Sequence, residues 1–447
     1  MSNSLRQYLD LYDANAATVD AGSAGALNSA RATARRRLED ASLPDSSSEG
    51  YQKTSVNAMF APDFGVNIGR VAIPTDVAAS FRCDVPNMSS LLAVVANDAF
   101  IPSNSLLNNL PEGVVVCSLR KAAVQYPDLV GRYYGSVAAD TTQVALNTLL
   151  AQDGVFIHIP EGVRLQRPIQ IVNIFSAPFS SLAFRRVLVV AEEGSAADIL
   201  FCDHTQVPDT SFLASQVVEA VCLPGSSLSF FDIEESSPMT SRINSFYARQ
   251  EKGSRLNVTT ATLLNGVTRN EWNIDICGPD ADTNLYGMAI GFDRQHIDNF
   301  SLVRHLSSHS TSRQNFRYVL DDDSLGAFEG GIEVAPGARL TSASQSNKNI
   351  IASRDARMFT SPQLLIYNDD VKCSHGSSTG QLDPAALFYM QQRGIPYSEA
   401  RTMLMQAFMA DVISSLEPHA VADRLRHLID KRFTGNLASC QSCSACR

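Results

Sequence analysis

Cys373 and His375 stand two residues apart in DVKCSHG, residues 370–376. On a strand, side chains at i and i+2 leave the same face, so the pair would offer a thiolate and an imidazole side by side, donors that iron and zinc accept. Two donors are half a metal site, and a second chain would have to complete it. The alternative is a buried cysteine beside a hydrogen-bonded histidine. The segment runs on into GSSTG, residues 376–380, which satisfies G-x-S-x-G with Ser378 as nucleophile. Its nominal partners are His419 or His427 and Asp411 or Asp423. Such an elbow needs strands alternating with helices upstream, and residues 154–367 read as strand and turn almost throughout.

Other chemical clusters are weaker. Cys440, Cys443 and Cys446 in SCQSCSACR recur every third residue but fall one ligand short of a closed tetrahedral site, and read as an adventitiously metal-binding tail. With Cys83, Cys117, Cys202, Cys222, Cys277 and Cys373 they make nine cysteines, an odd number and no disulfide framework for a chain this long. The body cysteines in ADILFCDH, VVEAVCLP and NIDICGPD read as small buried hydrophobes in strands. Asp321, Asp322 and Asp323 suit a solvated turn better than a hard-cation site. His305 and His309, four apart in strand-like text, would share one face and read as two satisfied histidines. No GxxxxGK[ST], HExxH or GxGxxG occurs, so the chain is expected not to hydrolyse ATP itself, and any nucleotide must come with a partner.

The elements that must position Cys373 and His375 are legible in a repeat. PEGVRLQRPI, EEGSAADILF, LPGSSLSFFD, EKGSRLNVTT and APGARLTSAS each place a turn glycine before alternating residues, at Gly162, Gly194, Gly225, Gly253 and Gly337. The spacings are 32, 31 and 28, then 84, three times 28. Short strands at such a period predict a solenoid of the β-helix kind, with an antiparallel meander as the alternative. Asn347 and Asn349 in SASQSNKN suit polar stacking inside it. Around this core, residues 1–60 read as an N-terminal helical region and linker, 61–153 as a mixed lead-in, 154–380 as the β-helix and 381–447 as a C-terminal helical domain with the cysteine tail. In the lead-in, SSLLAVVANDAF and TQVALNTLLAQ could each be helix or strand. ALNSARATARRRLED reads as an exposed helix.

At the C-terminal end, Asp383 and Pro384 open a helix that Gly394 ends. Ser398 opens a second, with the stripe Ala400, Met403, Leu404, Ala407, Phe408 and Val412. Pro418 breaks it, and Val421, Leu425, Leu428 and Ile429 mark a third.

With 447 residues, 45% of them hydrophobic, the chain can bury a large core, and its net charge of −10 opposes nucleic-acid binding. No apolar run is long enough to span a bilayer, and the N-terminus lacks the order of a secretory signal, so a cytoplasmic protein without membrane contact is expected.

DDVKCSHGSSTGQLDPAALFYMQQRGIPYSEARTMLMQAF resembles the C-terminal signature of the SufB/SufD family of iron-sulfur cluster assembly proteins, its SufD branch in particular. The segments from SHSTSRQNF to NKNIIAS and ALNTLLAQDGVFIHIPEGV also resemble that family, so the likeness runs from about residue 146 to 408 with a looser echo in EGYQKTS. The resemblance implies a right-handed parallel β-helix between N- and C-terminal helical domains. It further implies a scaffold that pairs with SufB through the β-helix, binds the ATPase SufC through the C-terminal helices, and helps build a transient cluster at the SufB–SufD interface, none being tightly bound by this chain alone. A homodimer is the alternative pairing. His375 corresponds to the family's interface ligand, with Cys373 as a neighbour of less certain role. Gly376, where SufB-like chains have Glu, favours the SufD branch, and Ser310, where relatives have Cys, carries no ligand role. The remaining alternatives are the serine hydrolase, a carbohydrate-active β-helix, against which a single tryptophan, Trp272, and the lack of an acid pair argue, and a metal-free interaction solenoid.

Overall fold

A computed structural model describes residues 4–73, 90–414, 416 and 419–435; Cys83, Pro418 and the cysteine tail lie outside them. From Gly154–Ile159 to Val371–Gly380, successive strands fall alternately into two sheets, and each pairs in parallel with the strand two places on in the chain. Ser181 is in register with Phe212 and Phe212 with Thr240 in one sheet, Ala196 with Ser227 and Ser227 with Arg255 in the other. The result is a parallel β-solenoid of about eight turns; the meander is excluded.

The glycine repeat marks one of the two corners of each coil. Gly162, Gly194, Gly225, Gly253 and Gly337 all have φ between 64° and 87°, the left-handed region that glycine enters without a Cβ penalty. Inside the 84-residue gap two corners lack glycine, and there Asp280 (φ 60°) and His309 (φ 58°) take the same conformation, short polar side chains being the best tolerated substitutes. The corners stack: the amides of Gly162, Gly194 and Gly225 donate to the carbonyls of Glu193, Pro224 and Lys252 one coil on. Period and corner thus have one cause.

Between the sheets lies an apolar core that includes Ile199, Phe230, Val258, Leu285 and Trp272. Trp272 is buried against Phe316 and offers no platform for a sugar. The outer faces are covered by helices. Leu5–Ala21 lays Tyr8 edge-on to Phe60 and Phe184 on one sheet. Tyr397–Ile413 and His419–Phe433 pack Met405, Met409, Val412, Leu425 and Ile429 on the other, against Phe231, Leu263 and Met288. Arg401 with Asp321 (2.6 Å), Arg424 with Glu235 (3.4 Å) and Arg317 with Asp411 pin these helices to the coils.

Several sequence expectations resolve here. SSLLAVVANDAF forms the antiparallel pair Leu91–Ala96 and Ala99–Pro102, whereas TQVALNTLLAQ contributes the helix Thr142–Leu150. Gly25–Arg37 is helical but not wholly exposed. Arg31 is buried, its guanidinium donating to Ser23 Oγ, Asn28 Oδ1 and the Ala151 carbonyl. Asp383 caps its helix through the Ala385 amide, with Pro384 following and Gly394 left-handed beyond the end. The next helix begins at Tyr397 with Pro396 in the cap position, so Ser398 is no cap. Its buried face is rotated from the expected stripe: Ala400 and Val412 are buried with Met405, Met409 and Ile413, but Met403 and Ala407 are exposed. The sheet selects the residues it touches, and the spacing alone admitted either face. His305 and His309 do not share a face, because the strand His296–His305 ends at the first and the second occupies the corner.

Candidate functional site

DVKCSHG enters the strand Val371–Gly380, the last of its sheet. One edge of this strand pairs with Thr341–Ile351; on the other, no further strand follows among the described residues. Every residue from Ser374 to Gly380 is exposed. The last strand of the opposite sheet, Arg357–Ile366, has no residue buried either, and Phe359, Leu365, Ile366 and Tyr367 are exposed there. The solenoid is therefore capped by helices on its two faces but ends in bare strand edges, a row of unpaired backbone donors and acceptors ready to take another chain.

Cys373 and His375 are two apart on this strand, in register with Ala343 and Gln345 of the coil below. Cys373 is half-buried beside Ile332, Val334 and Ala343, and burial pushes its thiol up, with the Ala343 backbone partly opposing. It waits as a thiol. His375 is exposed. Two donors are short of a closed site, and among the described residues no group of three or more His, Cys, Asp or Glu is placed to hold a metal ion.

Beneath His375 runs a column of polar side chains that spacing alone did not single out. Gln345 and Gln314 lie in register on successive coils, both buried. Gln345 Nε2 donates to Gln314 Oε1 (3.1 Å), which also accepts from Ser301 Oγ (2.6 Å), and Gln314 Nε2 donates to the Gly331 carbonyl (3.1 Å). Gln345 Oε1 is buried and has no hydrogen-bond partner among the described residues. The available signal was two glutamines 31 residues apart, one coil length. Asn347 and Asn349, on the same strand as Gln345, bond reciprocally (3.0 and 2.7 Å), while Thr360 reaches Asn347 (2.9 Å).

The other candidates separate. Ser378 lies inside the edge strand, where no strand-to-helix elbow exists, and no hydrogen bond joins it to His419, His427, Asp411 or Asp423; Asp411 pairs with Arg317 and Asp423 with Arg426 (2.6 Å). The hydrolase reading fails on geometry. Asp321 is taken by Arg401, and Asp322 Oδ2 accepts from the Asp293 amide (3.0 Å), so the acidic run is a stacked corner. His305 is fully buried between Ser310 Oγ (2.7 Å) and Ser312 Oγ (2.8 Å), and burial pushes its pKa down to about 4. Cys202 and Cys222 are buried thiols pushed up to about 12 by desolvation. Cys277 lies just past its strand, at a corner.

The C-terminal helices also leave large apolar and aromatic side chains exposed. Phe388, Tyr389, Tyr397 and Met403 on the C-terminal helices are 43–63% exposed. Among the described residues no helix is long and apolar enough to cross a membrane.

Comparison with known proteins agrees with this architecture. The family model described as SUF system FeS cluster assembly, SufBD core domain, matches residues 174–408, and that of the SufBD protein N-terminal region matches residues 2–171. An iron-sulfur cluster assembly SufBD family protein of Synechocystis is 30% identical over 366 residues, 75% of this chain and 74% of the relative. The iron-sulfur cluster assembly protein SufD of Bacillus subtilis is 25% identical over 325 residues, 72% and 74% of the two chains. SufD of Escherichia coli is 30% identical over 174 residues, covering 39% and 41%. A β-solenoid between helical ends, matched by both family models, makes this chain a member of the SufBD family of iron-sulfur cluster assembly proteins.

Proposed function

We propose that this chain is a non-catalytic, SufD-type scaffold of the cytoplasmic Suf machinery, which pairs with a SufB-type subunit end to end through the open coils and offers His375 to a cluster built between them. The observation that carries this reading is the position of DVKCSHG on the terminal strand. Its free edge can continue into a partner's sheet by strand addition, and that pairing would bring His375 to the junction. The iron-sulfur cluster is cargo here. Because one imidazole and one protonated thiol cannot close a cluster site, donors from the partner are required, and the cluster is transient at the interface. Cys373 would become a ligand only after losing its proton, which iron at the junction favours.

The exposed Phe388, Tyr389, Tyr397 and Met403 of the C-terminal helices suit a protein partner, and we assign them to the SufC ATPase. The same helices are pinned to the coils by Arg317, Arg401 and Arg424, so a pull from the ATPase would reach the solenoid and shift the junction, exposing His375 to iron and sulfide. The test is anaerobic reconstitution of the complex with SufB and SufC carrying His375→Ala. The variant is expected to assemble but to lose most of the iron-dependent visible absorbance. Unchanged absorbance would remove His375 from the site.

A further inference from the structure

We infer that Gln345 is a positioning residue for His375, accepting a hydrogen bond from one ring nitrogen so that the other presents its lone pair outward. This rests on the reading of His375 as a ligand for its purpose, but not for its geometry.

The polarity of the glutamine column is determined from its base. A carbonyl can only accept, so the atom of Gln314 that faces the Gly331 carbonyl at 3.1 Å is its NH₂. Gln314 Oε1 is then the acceptor facing Gln345, and at 3.1 Å the Gln345 atom opposite it must be Nε2. Turning either amide over would set like against like. The column therefore ends in a carbonyl oxygen, Gln345 Oε1, buried and without a partner among the described residues. A buried carbonyl oxygen left without a donor is destabilising. The in-register neighbour of Gln345 on the open side is His375, whose imidazole makes no hydrogen bond of its own to the described residues.

The backbone leaves room for this arrangement. A Cβ at Gly330 would overlap Gln345 Nε2 and the Phe328 ring, so glycine there lets the carboxamide lie flat in the coil. An imidazole with one nitrogen donating to a carbonyl has its tautomer fixed and its other nitrogen made more basic, the usual way a histidine is prepared to bind a metal.

The test is nitrogen-15 NMR of the full chain labelled on histidine, at a pH where imidazole is neutral. The His375 signals are assigned by their loss in His375→Ala. In the wild type, His375 is expected to show one protonated and one bare nitrogen; the averaged pattern of a free imidazole overturns the inference without any variant. Gln345→Leu, and separately Gly330→Ala, which displaces the carboxamide while leaving its chemistry intact, are both expected to restore averaging. If both variants fold and His375 stays locked, another group orients it and the inference fails. Cluster loading is a separate readout: a locked His375 whose removal leaves loading unchanged would retain the hydrogen bond and sink only the ligand role.

Discussion

One interior column of the solenoid reads Ile169, Ile199, Phe230, Val258 and Leu285 on its first coils and Gln314, Gln345 and His375 on its last. The backbone geometry is the same throughout, so the difference lies in what covers each coil. An inner coil has a neighbour on both sides, and each large apolar side chain fully buried there contributes roughly 1.5–3 kcal/mol. The terminal coil has one neighbour, and it carries the exposed His375 in this column beside the exposed Phe359, Leu365, Ile366 and Tyr367 at the end of the opposite sheet. Glutamines hold the penultimate coils by hydrogen bonds worth about 1 kcal/mol each and hand a polar group to the end. The closed half covers its apolar faces within the chain, and the open half leaves its last strands exposed.

Polarity alone does not mark the open half, because the closed half holds a buried cluster of charged side chains. Arg242 donates to Asp203 (3.0 Å), Asp232 (3.0 and 3.1 Å) and Asn270 (3.0 Å), with Glu234 at 3.6 Å. Burial pushes Glu234 up to about 7, although Arg242 pulls it back. Here each carboxylate lies within ion-pair distance of a cation of the chain, although Glu234 Oε2, Arg242 Nε and both terminal nitrogens of Arg185 make no hydrogen bond among the described residues. The contrast is thus between buried charge paired within the chain and an exposed polar end, and Arg242→Met breaks it most severely by leaving Asp232 and Glu234 without a cation among the described residues and Asp203 with Arg185 alone (3.7 Å). The expected loss is about 3–5 kcal/mol, read as a lowered urea midpoint. A change below ~1 kcal/mol would show that these carboxylates reach water, contrary to their burial.

Two of the strand-borne histidines, the buried His305 and the exposed His375, sharpen the contrast. His305 is enclosed by two serines and held neutral, its pKa about 4 against an ordinary 6.5. The native state then binds fewer protons than the unfolded one between these values. Its contribution is present above pH 6.5 and lost as pH falls toward 4, a decline of about 3 kcal/mol at most. His305→Gln is expected to flatten that part of the stability-against-pH curve, measured by denaturant unfolding at each pH. An unchanged slope would assign acid sensitivity elsewhere.

Much of this was legible in the sequence because a solenoid repeats its constraints. Five corner glycines announced the coil, and the 84-residue gap held two more corners where Asp280 and His309 do the same work with a side chain. DVKCSHG marked the candidate site, which the structure places on the terminal strand. Hidden were the features decided by contact between distant segments: which face of Tyr397–Ile413 meets the sheet, why Arg31 is buried in a helix of charged appearance, and that Gln314 and Gln345 stack. Periodicity gives the rows of a helix or strand, but the partner chooses among them.

The smallest expected effect on stability belongs to the edge itself, and it separates the two halves most cleanly. Along a strand, the backbone N–H groups of adjacent residues point to opposite edges. Of Ser377 and Ser378, one therefore donates into the ladder with Thr341–Ile351 and the other into the open side. Proline removes the donor at either place. One of Ser377→Pro and Ser378→Pro should lower stability by breaking an internal bond. The other should shift it by less than ~1 kcal/mol while abolishing association with the SufB-type partner, read by co-elution of the separately purified subunits. If both variants pair normally, the terminal strand is not the seam, and the partner must meet this chain across the exposed faces of its helices.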